Sequence, residues 1–450
     1  MTAHPHDLTT DLSEAAARLI ARARALGADA ADSACTKSQS LSVSVRLGKL
    51  EGVEREESRA AGLRVLIGKQ QAGASTTDLS PAALDALAER VVAMARAAAE
   101  DPWCGLPDPT ARGPFADLGI YDPTPPDIAA LEARALQAEA AAMAVPGVTN
   151  SSGSGADWGC RGVAYAASTG FEGAYQGASW GLGLSVIAER DGLKERDYDG
   201  LNVRRQDQLD PEAVGREAGT RAVARLSPRK LDSRTAPVVL ENRVSAALLR
   251  FLVGAINGAA VARGVSFLRE KLGQQIFSPG ITVRDDPFKP GGWGSHPFDG
   301  EAQAVAVHDI IQDGRLTTWL LNSAAARQLG LATTGHASMA MGGPPGISTS
   351  NLTLLPGVDD LAGLMRAAGT GLLVRETSSP SFNPNTGDWS VGVSGDWFEG
   401  GEIAFPVSEM TVAGNMLDIF ARLVPGSDLP GRSATDCPSL LIDALTIAGT

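Results

Sequence analysis

The chain has 450 residues, with 39 Lys and Arg against 52 Asp and Glu, a formal charge of −13 at pH 7. That length corresponds to two or three domains of roughly 150 residues each and buries a core without metal or disulfide staples. Hydrophobic content of 44% and charged content of 20% fit a soluble globular protein and exclude global disorder, and the acidic balance disfavours a nucleic-acid binder, which needs clustered Lys and Arg.

The basic stretch from Arg225 to Arg234 is broken by Ser227, Pro228 and Asp232 and reads as a solvated connector. Cys35, Cys104, Cys160 and Cys437 form no CxxC pair, so reduced thiols are expected and no disulfide framework. The opening MTAHPHDLTT has no basic patch followed by an apolar run, and no stretch reaches the ~18 apolar residues of a membrane span. A cytoplasmic location and no membrane contact are expected.

The first helix is marked by Asp11 and Glu14 at capping-box spacing, by the stripe Leu12, Ala15, Ala16, Leu19, Ile20 and Ala23, and by Gly27 at its end. Leu41, Val43, Val45 and Leu47 alternate with polar residues as in a half-buried strand, Leu63 to Ile67 form a second apolar run, and Gly68-Lys69 turns the chain before Gln70 to Ser75. Ser80-Pro81 opens a helix to about Ala99. Seven prolines between Asp101 and Pro126 forbid helix or inner strand, and Trp103, Phe115 and Tyr121 suggest a segment packed along a surface.

Thr124, Pro125 and Asp127 start the next helix, which ends before Pro146-Gly147. Gly147 to Asp199, with Trp180, Leu182, Leu184 and Val186 alternating, reads as an antiparallel meander, and Asp210-Pro211 caps a helix to about Leu226. Beyond Val238 short strands mix with helices. Ala302 to Ile311 and Arg315 to Leu321 flank a hairpin turn at Gln312-Asp313-Gly314. Asp359 to Ala368 is helical, and Trp389 to Val393, Glu402 to Val407, Glu409 to Val412 and Leu440 to Ile447 read as strands. The fold class expected is α+β, with mixed N-terminal units of helices packed on antiparallel sheets and a β-rich C-terminal domain. The domains divide as 1–105, 106–230 with the glycine-rich meander, and 231–450.

Catalytic signatures are missing from this pattern. His4 and His6 lie in a polar tail, while His296, His308 and His336 are far apart and none is followed by Glu or by a second His one turn on. A three-His metal site would therefore have to assemble in space. Gly177-Ala178-Ser179-Trp180-Gly181 matches G-x-S-x-G, but a strand follows it where a nucleophile elbow needs a helix. The glycine pairs Gly292/Gly294 and Gly369/Gly371 lack the third glycine of a phosphate loop. Cys437 reads as a packed core thiol.

A set of segments in the C-terminal half nevertheless carries a resemblance. Phe251 to Ile256, His296-Pro297-Phe298-Asp299-Gly300-Glu301, Asp313-Gly314 through Trp319-Leu320-Leu321, Leu329 to Leu331 with Thr334-Gly335-His336-Ala337, Gly401-Glu402-Ile403, Pro406 to Asn415 and Thr446-Ile447-Ala448-Gly449 occur in one order. Together they resemble the TldD/PmbA family, in its PmbA/TldE branch. The resemblance implies a cytosolic subunit that pairs with a TldD-like zinc subunit to degrade or trim unfolded peptides, with zinc held by the partner's HExxxH helix and a later cysteine, and no cofactor in this chain. Anchored on Leu252 and Gly254, it sets Ser245, Ala246 and Arg250 where the zinc branch has His, Glu and His. It implies no catalytic residue here. The peptide-channel or partner-contact candidates are Ser295, Phe298, Asp299, Glu301 and His336, in segments where polar groups flanked by glycine leave room for a peptide backbone, and Arg250 on an otherwise apolar helix. The alternative is a non-catalytic homodimer that binds peptides or regulates another protein, of the gyrase-modulator type. A homodimer is expected when the chain is alone.

Overall fold

The computed structural model describes residues 7–449. Helix α1 (Thr10–Ala25) is followed by strands β1 (Ala30–Arg46), β2 (Lys49–Ile67) and β3 (Gln70–Thr76) and helix α2 (Pro81–Ala97). After the proline-rich segment come α3 (Ile128–Met143), β4 (Val148–Ala167), β5 (Phe171–Arg190), β6 (Leu193–Val203) and α4 (Pro211–Ala224). Three of the four helix starts follow from local chemistry: Ser80, Asp127 and Asp210 accept N–H bonds from Ala83, Ala129 and Ala213. The fourth differs from the expected capping box. Asp7, not Asp11, organises the start of α1, its carboxylate accepting from Thr9 N–H at 2.8 Å and from the Thr9 and Thr10 hydroxyls. These bonds, that of Thr10 foremost, pull the Asp7 pKa down to about 2.

The two units expected before residue 230 share one sheet. Its order is β3-β2-β1-β4-β5-β6, antiparallel throughout, and the β1–β4 pairing that joins the halves spans Asp32↔Ala167 to Val45↔Ser154. All four helices cover the same face. α1 and α2 pack on Ala31, Cys35 and Leu63, and α3 and α4 on Leu41, Val43, Val45 and Leu182. The opposite face carries Ser38, Ser40, Ser42 and Ser44 on β1, and small polar residues there leave room over the sheet's middle.

The C-terminal part begins with β7 (Arg234–Leu240), α5 (Asn242–Ile256), α6 (Gly258–Ala262), β8 (Val283–Asp285), β9 (His308–Gln312) and β10 (Arg315–Leu316). It continues with α7 (Ser323–Leu329), β11 (Ala337–Ser338), β12 (Gly346–Ile347), β13 (Leu352–Leu354), α8 (Leu361–Ala368) and β14 (Gly371–Phe382), then β15 (Asp388–Glu399), β16 (Glu402–Asn415), α9 (Met416–Arg422), β17 (Val424–Pro425), β18 (Thr435–Asp436) and β19 (Leu440–Ala448). Strands β16-β15-β14-β7-β19 close into a barrel because β19 also pairs with β16, through Thr411↔Ala448 to Ala413↔Thr446. Only β7 and β14 run parallel within it. The two strands expected around Ser408 are one, β16, bent where Glu409 takes φ 56°. The hairpin at Asp313-Gly314 forms, with φ 47° and 76°, but is shorter than expected; residues 302–307 run as irregular chain. Among the described residues no helix is long and apolar enough to cross a membrane.

Candidate functional site

A cavity of about 650 Å³ opens between the serine-bearing face of the N-terminal sheet and loops of the C-terminal domain. Its floor is built from cross-strand rows, which put directly paired residues on one face. Ser38, Arg161 and Gly177 form one row across β1, β4 and β5; Ser40, Gly159 and Ser179 form the next. The roof comes from Trp293 to His296, Phe298 to Gly300, Ala337 to Met339, and Ser348-Thr349. The proline-rich segment closes one side, since Ile120 O accepts from Ala178 N–H at 2.8 Å and Leu118 O from Gly291 N–H at 2.8 Å.

Phe298 fastens the roof to the floor. It is 1% exposed and its ring lies 5.1 Å from Phe115, 5.0 Å from Phe171 and 5.7 Å from Tyr175, centroid to centroid. A strap of glycines makes a second junction: an added Cβ on Gly342, at φ 79°, would overlap the Ala74 carbonyl of β3. Under this strap Arg64 and Asp32 form a buried two-bond ion pair of 2.9 and 2.6 Å, and Tyr165 Oη donates to the same carboxylate at 2.8 Å.

The residues singled out from sequence fall in three places. Ser295, Phe298 and Asp299 line the cavity. Ser295 Oγ donates to Lys289 O at 2.6 Å and accepts from Asn351 Nδ2 at 2.8 Å. Asp299 accepts N–H bonds from Glu301, Gln303 and Ala337 at 2.8, 2.8 and 3.2 Å, and burial pushes its pKa up to about 6. Glu301 and His336 are buried behind the wall. Glu301 accepts from Ser323 N–H at 2.8 Å, and His336 is held at both ring nitrogens, by Asp285 Oδ2 at 3.3 Å and Thr334 Oγ1 at 2.8 Å. Arg250 is elsewhere, exposed at a separate space of about 190 Å³ with Arg225, Arg243, Arg375, Asp197 and Glu376.

The fold draws His296, His308 and His336 towards Asp285; the His308 and His336 rings are 5.2 Å apart, and burial lowers the pKa of His296 and His308. Among the described residues, however, no group of three His, Cys, Asp or Glu side chains can hold a metal ion. His4 and His6 lie outside the described residues. The helix positions set against zinc ligands do not converge either. Ser245 is buried and donates its hydroxyl to Cys437 O at 3.2 Å, Ala246 offers a methyl group, and Arg250 carries an exposed cation at a separate space. Burial pushes the Cys437 thiol up to about 12. A donated hydroxyl, a methyl and a guanidinium do not fit a zinc ion. All four cysteines are buried and unpaired.

Sequence reasoning missed the two arginines of the floor. Arg161 stands in the row with Gly177, and Arg204 reaches in from the end of β6, donating to Gly291 O, Ala178 O and Gly292 O at 3.0, 2.7 and 2.8 Å and stacking over Trp293 at 4.2 Å. The signal available was the alternation of serines in β1, which marks a polar face but not what covers it.

Family models match most of the chain: PmbA/TldA metallopeptidase domain 1 at residues 31–95, the central domain at 121–226 and the C-terminal domain at 233–449. The metalloprotease PmbA of Escherichia coli O157:H7 is 37% identical over 94% of this chain and 92% of its own. A metalloprotease TldD homolog from Haemophilus influenzae matches more weakly, at 25% over 60% of this chain and 61% of its own. Among solved structures, a Bacteroides thetaiotaomicron protein named as a candidate modulator of DNA gyrase superposes with a TM-score of 0.89 at 24% identity, covering 98% of this chain and all of that one. TldE from Thermococcus kodakarensis does so with a TM-score of 0.86 at 19% identity, covering 97% and 100%.

Proposed function

Because the chain belongs to the PmbA/TldD metallopeptidase family, we propose that it is the peptide-holding subunit of a heteromeric metalloprotease, with the metal chemistry carried by a TldD-like partner. One observation carries this reading. The molecule has a wide cavity between two domains, lined by glycines, serines and two arginines, while the helix positions set against the zinc ligands hold Ser245, Ala246 and Arg250. Serine and glycine in the floor, with Arg161 and Arg204 among them, give an extended peptide room and hydrogen-bonding groups. The partner's zinc would supply an activated water, and this chain would contribute the chamber wall.

The test uses purified chain, alone and mixed with a TldD-like chain from the same organism. Cleavage of an unstructured peptide and zinc content are followed in each case. Cleavage is expected only on mixing, with zinc in the partner. Stoichiometric zinc and cleavage by this chain alone would refute the assignment. Peptide binding by a homodimer with no cleavage in any mixture would favour the regulatory alternative.

A further inference from the structure

The central cavity holds two arginines with no acid to balance them. Arg161 and Arg204 take part in none of the ion pairs within 4.0 Å among the described residues. Both flank Gly177: it is the cross-strand partner of Arg161, and a Cβ on it would lie 3.8 Å from Nη1 of Arg204. Glu56 and Asp157 share the sheet face but do not line the cavity. The single carboxyl that does, Asp299, already accepts three backbone N–H bonds and sits in the roof. Burial lowers the Arg204 pKa and no carboxylate offsets it.

Three of the five Arg204 N–H donors are spent on carbonyls, which fix the guanidinium plane and leave two donors free. A cation positioned in this way, in a cavity that a second arginine also lines, is stabilised by an anion arriving from outside. We infer that the floor around Gly177 is a carboxylate-binding subsite, which selects peptides for an acidic side chain or for their free C-terminus. This rests on the reading of the cavity as a peptide site.

Fluorescence anisotropy with the full chain tests it, using an unstructured acidic peptide, the same peptide amidated at its C-terminus, and one with Asp and Glu replaced by Asn and Gln. Loss of about tenfold or more in affinity is expected for one modified peptide, and which one it is identifies the source of the carboxylate. Arg161→Gln should erase that preference and Arg161→Lys should keep part of it. Gly177→Asp supplies an internal carboxylate at a position whose φ any residue adopts, with an added Cβ 3.4 Å from Ile120 O, and should erase the preference while a melting curve shows the fold intact. Arg204 is left unchanged because its loss would break three structural bonds. Equal affinity for all three peptides would overturn the inference and leave the peptide-holding reading standing. Binding of none of them would overturn both.

Discussion

Two interdomain spaces in this molecule use the same residue types to opposite ends. On one side, between β6 and α4 and the C-terminal barrel, three arginines are paired with acids. Asp197 accepts from Arg243 at 3.2 Å and Arg225 at 3.4 Å, Arg225 reaches Glu376 at 2.6 Å, and Arg375 bridges Glu241 at 2.7 Å and Asp396 at 2.5 Å. On the other, the central cavity holds Arg161 and Arg204, neither of them in an ion pair among the described residues. Closed charge networks fix one domain against the next, whereas uncompensated charge beside open volume is what a ligand completes. Arg250, a site candidate from sequence, lines the first of these spaces without an ion pair of its own among the described residues.

The sharpest contrast is between truncations at the two places. Phe298→Ala removes the aromatic anchor of the cavity roof and should lower stability by about 3–5 kcal/mol, read by urea unfolding. Asp197→Ala leaves Arg225 and Arg243 half-buried without their shared acid and should cost about 3 kcal/mol, with peptide binding unchanged in the folded fraction. If Asp197→Ala abolished binding at unchanged stability, the division between the two spaces would fail.

A smaller effect separates Asp299 from the paired acids by pH. Its folded pKa of about 6 lies above the unfolded value of about 4, so its contribution is fully present below pH 4 and is lost as pH rises through 6. Relative to wild type, Asp299→Asn should gain about 2–3 kcal/mol between pH 4 and pH 7, measured as the difference between two unfolding curves. A constant difference across that range would contradict the assigned burial. Smallest of all, Trp293→Ala removes the ring under Arg204 and should weaken peptide binding two- to fivefold, in line with about 0.5–1 kcal/mol for a cation–π contact, with little change in melting temperature.

What could be read before the fold was known follows the range of the interactions involved. Helices α2, α3 and α4 were legible because Ser80, Asp127 and Asp210 cap them within three residues. The outer half of β2, from Lys49 to Ala60, was not. It is almost wholly exposed and charged, and it is a strand because β1 pairs with it, not because its own residues alternate. The union of two expected units into one sheet depends on β1 meeting β4 across more than 100 residues, which no local pattern encodes. Ser295, Phe298 and Asp299 were legible as candidates because they lie in a polar segment flanked by glycine, whereas Arg161 and Arg204 reach one cavity only through the register of β4, β5 and β6.

The account stands or falls on whether peptide occupies the central cavity. Gly177→Phe would place a ring on its floor without touching the ion-paired side. The decisive measurement is cleavage of an unstructured peptide by this variant mixed with a TldD-like chain, with complex formation followed by size exclusion. The account predicts that the complex forms and cleavage falls at least about tenfold, the loss of roughly one hydrogen-bonded charge contact or more. Cleavage at the wild-type rate would contradict it.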